Sequence, residues 1–172
     1  MPMTSNTQRR PGRGFTLIEM LIVVAIIGVL TTTVALTISR NPHQAAASEA
    51  KRLAVLLETA VAEAQAGRRQ LAWTASQDGY DFLAAEDSLE RTPRWLPLTE
   101  DETFHPRHLD KSVRIGRIEV DGQPLPPGGL LIFRRGDPPL FRIALEASND
   151  AAFRPFDLRG LPTGRVIVGS EE

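Results

Sequence analysis

The chain of 172 residues contains no cysteine. It therefore has no disulfide and offers no thiolate to a metal ion. Its stability must come from packing and from any membrane segment. Roughly 130 residues follow the first 40, which is enough for one domain with a modest hydrophobic core.

Negative charge is missing from the start of the chain. The first 14 residues contain Arg9, Arg10 and Arg13 and no acidic residue. The rest of the chain then has 17 Lys and Arg against 21 acids, a net charge near −4. Nucleic-acid binding draws on clustered Lys and Arg, so we expect no nucleic-acid partner.

The short motifs of common catalytic sites are also missing. The sequence has no Gly-x-Ser-x-Gly elbow, no phosphate-binding loop and no dinucleotide fingerprint. Its three histidines show no spacing that assembles a triad with the scattered aspartates. We therefore predict that the protein is not an enzyme and that it needs no cofactor.

What the sequence does have is one long apolar run, residues 15–38, in which Glu19 is the only charged residue. As a helix, 24 residues extend about 36 Å, which is enough to cross a bilayer core of about 30 Å. The arginines lie before the run, so the positive-inside rule puts that end in the cytoplasm. The sequence predicts a transmembrane helix over 15–38 and a domain outside the cytoplasm.

Two simpler interpretations fit less well. A cleaved secretory signal has an apolar core of about 7 to 15 residues, shorter than this one, and Asn41, Pro42 and His43 separate the run from a possible cleavage site at 45–47. A plain signal anchor explains the length and the orientation but not Glu19. A carboxylate inside a membrane helix costs about 2 to 3 kcal/mol at the centre and less near an end, so Glu19 calls for a positively charged partner.

The residues around Glu19 carry a family resemblance. The stretch GFTLIE at 14–19, continued by MLIVVAIIG at 20–28, resembles the class III signal of type IV pilins and of the pseudopilins of type II secretion. The family pattern is a short basic leader, a glycine, an N-methylated phenylalanine, TLIE and an apolar helix. The chain departs from it at none of these positions.

The resemblance implies a processing site and an assembly site. A prepilin peptidase would remove the leader, residues 1–14, by cutting between Gly14 and Phe15, and the new amine of Phe15 would be methylated. Glu19 would then pair with the Phe15 amine of a neighbouring subunit in a filament.

Two further positions predict flexibility in the helix. Gly28 and the threonines at 31–33 weaken the helix locally. The simpler interpretation is that threonine is tolerated where a helix leaves a membrane. The alternative hypothesis is that 28–33 is helical in the free protein and extended in a filament, as in related pilins. Pro42 lacks an N–H and should kink or interrupt the helix. Beyond it, 39–67 is predicted as the periplasmic continuation of the helix. Gly67 is the predicted C-cap. The apolar stripe of this segment is Leu53, Leu56, Leu57, Ala60, Val61 and Ala64.

The remainder, 68–172, is predicted to be a β-rich periplasmic domain. We expect α+β architecture of the pilin type, with the long helix packed on an antiparallel sheet. Residues 130–134 and 140–147 are expected to form a hairpin-like pair. The predicted turns are 77–79 and 121–122, and the other predicted strands are 70–75, 79–83, 95–98, 113–120 and 165–168.

Four groups of residues each allow both a functional interpretation and a simpler structural one. His105, His108 and Asp110 could suggest a metal site, but exposed loop positions are favoured because Pro106 disrupts the spacing. The acidic loop 100–102 could bind calcium or could simply be solvated. Arg154, Arg159 and Arg165 could form a basic patch or balance nearby acids. Trp73, Tyr80, Phe82 and Trp95 are assigned to the core, with a subunit interface as the alternative.

Beyond the leader, the chain is similar to the general secretion pathway protein H group of minor pseudopilins. The similarity lies in its length, the GYDF strand at 79–82, the IFRRGDPP segment at 132–139 and the late GRVIV strand at 164–168. It implies a structural subunit near the tip of the periplasmic pseudopilus that helps export folded proteins. Other minor pseudopilins, the major pseudopilin, the prepilin peptidase, the inner-membrane platform and membrane lipid are the implied partners. A minor type IV pilin, for adhesion or DNA uptake, is the alternative.

Overall fold

The structure, a computed structural model, describes residues 17–37, 42–76, 78–86, 93–148 and 154–170, with the backbone alone at 29–37 and 170. The chain divides into two units, Met1–Arg40 and Asn41–Glu172. The first unit contains helix α1, Leu17–Thr37. The second contains helix α2, Pro42–Gln65, and all the strands described.

Helix α1 is apolar on every side. Its described side chains, 17–28, are all exposed, and Glu19 lies in its first turn. Among the residues that the structure describes, no helix combines the length and the hydropathy needed to cross a membrane. The transmembrane segment at 15–38 stays a prediction.

Helix α2 has the predicted amphipathic pattern and ends as predicted. The six residues of the predicted stripe are all buried. Gly67 has a φ of 67°, and the amides of Gly67 and Arg68 donate to the carbonyls of Ala64 and Glu63 at 3.0 and 3.2 Å. This bonding pattern closes the helix C-terminus, and a positive φ is easiest for glycine.

The strands form two antiparallel five-stranded sheets rather than one. In chain order they are β1 Leu71–Ser76, β2 Gly79–Glu86, β3 Arg94–Pro97, β4 Arg107–His108, β5 Val113–Val120, β6 Gln123–Pro124, β7 Leu131–Phe133, β8 Phe141–Ala147, β9 Phe156–Gly160 and β10 Val166–Ser170. The first sheet has the order β3-β2-β1-β7, with β4 also on β2, and the second has the order β10-β9-β8-β5-β6. The predicted α+β class is confirmed.

The predicted hairpin of 130–134 with 140–147 is wrong. Strand β7 pairs with β1 in the first sheet, whereas β8 pairs with β5 and β9 in the second. Pro138 and Pro139 lie between them and have no N–H with which to continue a ladder. Gln65 of α2 also holds the turn, because it donates to the Arg134 carbonyl at 3.1 Å and accepts from the Gly136 amide at 3.0 Å.

The predicted strand 113–120 has the bounds of β5, and the turn after it also forms. Asp121 and Gly122 have φ angles of 51° and 75° and join β5 to the short strand β6. Two positive φ angles suit a two-residue hairpin. Strands β4, β6 and β9 were not predicted.

The core lies between α2 and the two sheets. Trp73, Tyr80 and Phe82 are fully buried, as predicted. Trp95, which was also predicted to lie in the core, is only half-buried because β3 is an edge strand. The largest other buried side chains are Leu53, Leu57, Leu71, Phe104, Leu131, Phe133, Ile143, Leu145 and Leu158.

Candidate functional site

Glu19 is the described member of the predicted processing and assembly site. It is the third residue of α1, it is exposed, and its neighbours Ile18 and Met20 are exposed apolar residues. The first turn of a helix has free backbone N–H groups and the positive end of the helix dipole, so a carboxylate is favourable there. Gly14 and Phe15 lie outside the described residues.

The two predicted flexibility positions differ in their surroundings. Gly28 is helical within α1, as expected for the free protein, and a Cβ built on it meets no atom within 4 Å. Space among the described residues therefore does not demand a glycine there. Pro42 is the first residue of α2, where its missing N–H costs nothing. Residues 38–41, just before it, lie outside the described residues.

A buried carboxylate outside the predicted apolar stripe ties α2 to the first sheet. Glu49 is 7% exposed, and the Tyr80 hydroxyl donates to its Oε1 at 2.9 Å. The Arg52 guanidinium donates to the same carboxylate. The position does follow the apolar stripe, since Leu53 and Leu57 are four and eight residues further on.

The protonation of this cluster follows from its burial. Burial raises the pKa of Tyr80 well above its ordinary value, and the nearby Glu49 carboxylate raises it further. Burial alone would lower the pKa of Arg52, but its ion pair with Glu49 outweighs this and raises it. The cluster is therefore a stable neutral phenol beside an ion pair, which suits a structural tie.

A second cluster holds the acidic loop 100–102 to the C-terminal end of α2. The Arg69 guanidinium contacts Glu63 Oε2 at 2.7 Å and Asp101 Oδ2 at 2.9 Å, and it lies 5.3 Å from the centre of the Phe104 ring. Asp101 Oδ1 accepts from the amides of Thr103 and Phe104, both at 2.9 Å. Asp101 is thus a bonded turn residue, whereas Glu100 and Glu102 are exposed as predicted.

Comparison with known proteins finds relatives among proteins of type II secretion. The prokaryotic N-terminal methylation motif matches residues 9–35, which include Gly14, Phe15, Glu19 and Gly28. The type II secretion system protein H of Pseudomonas aeruginosa is 34% identical over 117 residues, which cover 67% of this chain and 63% of that protein. Protein H of Dickeya chrysanthemi is 27% identical over 167 residues, covering 86% of this chain and 92% of that one.

The chain is similar to the type II secretion system protein H of these two bacteria. Two solved structures of the minor pseudopilin EpsH from Vibrio cholerae share its fold. They superpose with TM-scores of 0.57 and 0.61 at 14% and 12% identity, and cover 73% and 77% of this chain and 96% and 99% of those chains. At such low identity the likeness shows the fold alone. The match to the P. aeruginosa relative spans about 63% of that relative's length.

The remaining candidate sites of the chain have structural contacts. His105 Nδ1 lies 3.2 Å from the carbonyl oxygens of both Asp101 and Glu102. Within the described residues, no three His, Asp or Glu side chains are grouped so that they could hold a metal ion. The metal site that was the less favoured interpretation of His105, His108 and Asp110 thus has no support from their arrangement.

The three late arginines, Arg154, Arg159 and Arg165, differ in their surroundings. Arg159 contacts the buried Asp157 at 3.3 Å, and Arg142 also pairs with that carboxylate. Arg154 and Arg165 are exposed. For Arg159 the arrangement fits the simpler interpretation, an arginine that balances a nearby acid.

Proposed function

We propose that this chain is a minor pseudopilin, a structural subunit near the tip of a periplasmic pseudopilus that helps move folded proteins across the outer membrane. A prepilin peptidase removes residues 1–14 and the Phe15 amine is methylated. Residues 15–38 hold the subunit in the inner membrane with the N-terminus in the cytoplasm. Residues 39–67 and 68–172 lie in the periplasm. The role requires neither catalysis nor a cofactor.

The observation that carries the proposal is the position of Glu19. It is the only charged residue in α1, in the first helical turn, four positions after Phe15. A carboxylate among apolar side chains is stabilised by a cation in a surrounding of low dielectric constant. The freed amine of Phe15 in an adjacent subunit would supply that cation, so the pair favours assembly over the isolated subunit.

The surface of α1 supports storage in a membrane. A helix that is apolar on all sides is buried in protein or in lipid. The described side chains of α1 are exposed in the isolated chain, so lipid before assembly and neighbouring helices after assembly are the surroundings that we propose. The proposed partners are therefore lipid, the prepilin peptidase, the inner-membrane platform, and the major and other minor pseudopilins.

Glu19→Ala tests the assembly role directly. The substitution removes a carboxylate from an apolar helix, so membrane insertion should be unaffected. Loss of an ion pair of about 2 kcal/mol should lower co-purification with partner pseudopilins by tenfold or more and reduce secretion. Glu102→Ala, which removes an exposed acid from the second unit, is the matched control. Normal secretion together with normal co-purification in the Glu19→Ala strain would overturn the proposal.

A further inference from the structure

Strand β10 differs from the other edge strands that the structure describes. β3 contains Arg94 and ends at Pro97, β6 has two residues and ends at Pro124, and β4 and β7 have two and three residues. β10 has five residues, VIVGS, without a charge or a proline. Proteins usually protect edge strands with charges, prolines or short length, because an open edge pairs with other chains.

The outward-facing backbone groups of β10 can be identified from its pairing with β9. The Leu161 amide donates to the Arg165 carbonyl at 2.8 Å, and the register continues as Ile167 opposite Arg159. Backbone bonding alternates along an antiparallel strand. Residues 165, 167 and 169 therefore bond to β9, and residues 166, 168 and 170 direct their N–H and C=O groups to the open edge.

A side-chain contact confirms this direction and partly covers the edge. The Val166 amide donates to Glu58 Oε1 of α2 at 2.7 Å. A strand that pairs with the whole edge would have to compete with Glu58 for this one amide.

On the exposed face of β10, the side chain of Ile167 projects into solvent and Gly169, which has no side chain, leaves open space. Ile167 is 52% exposed, and a Cβ built on Gly169 meets no atom within 4 Å. Both residues belong to the set that bonds to β9, so their side-chain positions lie on one face of the sheet. They lie on either side of Val168.

We propose that β10 is the docking surface for β10 of a second copy of this chain, in antiparallel register centred on Val168. Val168 then bonds to its own counterpart, and Val166 bonds to Ser170 when its amide exchanges Glu58 Oε1 for the Ser170 carbonyl oxygen. Every pair in the register uses outward-facing groups of both copies. Ile167 of each copy lies against Gly169 of the other.

This two-fold arrangement is isologous, so the same patch serves both subunits. Its self-complementarity is what favours a second copy over a different partner strand. The inference concerns the second unit alone and does not depend on the proposed role in secretion.

Cysteine cross-linking of the full-length chain in detergent micelles tests the register. The chain has no native cysteine, so introduced thiols report only their own positions. Opposed residues that are not hydrogen-bonded to each other have Cα atoms about 4.5 Å apart, and diagonal neighbours about 7 to 8 Å. A mixture of Ile167→Cys and Gly169→Cys chains should therefore form a disulfide-linked dimer, and either variant alone should not.

The results of the cross-linking distinguish a second copy of this chain from a different partner strand. If the mixture gives no linked dimer, the proposal is wrong, and this is the result expected when a different chain binds at the edge. If the single variants link as well as the mixture does, the proposed register is wrong and the proposal is overturned. As a second measurement, Ile167→Lys should weaken self-association in sedimentation about tenfold or more, because lysine protects edge strands. Leu140→Lys, at a side chain that is 46% exposed elsewhere, should not.

Discussion

Asp101 shows how one side chain can fix a loop that composition describes only as acidic. Burial alone would raise the pKa of its carboxyl group. The Phe104 amide and the Arg69 guanidinium outweigh that effect, so the pKa of Asp101 lies below its ordinary value. The folded chain therefore holds the proton less tightly than the unfolded chain, and this difference links stability to pH.

We expect Asp101→Asn to lower the free energy of unfolding by about 1 kcal/mol at neutral pH, since the partly exposed pair with Arg69 is lost. Asparagine keeps an acceptor for the two amides. The stabilisation by Asp101 is complete above the unfolded pKa, about 3.9, and is lost as the pH falls through the lower folded pKa.

Chemical unfolding of the full-length chain in detergent, at pH 7 and then at successively lower pH below 4, measures this difference. The gap between wild type and Asp101→Asn should close as the pH falls. Glu102→Gln, in the same loop, is the control and should stay close to wild type at pH 7. A gap that persists or widens at low pH would contradict the assignment.

Glu19 and Glu49 mark how far residue-level prediction can go. Glu19 is identifiable because a charge within a long apolar run has a cost and its neighbours form a specific motif. Glu49 was missed because charged residues are assigned to the solvent side by default. Its partner Tyr80 is 31 residues away in the sequence, and no local pattern announces that pair.

At the scale of elements, close backbone approach fixes the position of β4 on β2. Gly79 pairs with His108, and a Cβ built on Gly79 would lie 1.9 Å from the Arg107 carbonyl oxygen. A backbone atom cannot rotate away as a flexible side chain can. Only glycine therefore fits at position 79, because any side chain would collide with the backbone of β4.

Gly79→Ala should destabilise the second unit by about 2 kcal/mol, because the strands must move apart to accept the methyl group. Gly169→Ala is the matched control in a strand, and its methyl group enters open space, so we expect a change within about 0.5 kcal/mol. Circular dichroism during thermal unfolding of both full-length variants measures the difference. Equal midpoints for the two would show that β4 does not approach β2 as closely as described.

Elements with a local signal were predictable, and their pairing was not. The alternation in 113–120 and the Asp-Gly turn after it predicted β5 and its turn correctly, whereas the two-residue partner strand β6 was not predicted. Strands β7 and β8 were predicted as strands but wrongly paired, since only their distant partners β1, β5 and β9 determine the sheet to which each belongs. Two-residue strands such as β4 have too few residues to show any period.

At the scale of the whole molecule, the two units have different kinds of stability. The second unit buries α2 against two sheets and has its own core. The part of the first unit that the structure describes is the apolar helix α1 with the carboxylate of Glu19, and such a helix is stable only in an apolar environment. This division matches the proposed life of a pseudopilin, in which a folded domain is carried by a helix that moves from membrane to filament.

The central claim is that residues 9–35 are a processing and assembly signal. Mass spectrometry of the mature N-terminus, on protein from a host with an active prepilin peptidase, tests it most directly. We predict a chain that begins at Phe15 and carries one methyl group on its amine. A chain that still begins at Met1, or one that begins near Ser48, would contradict the account.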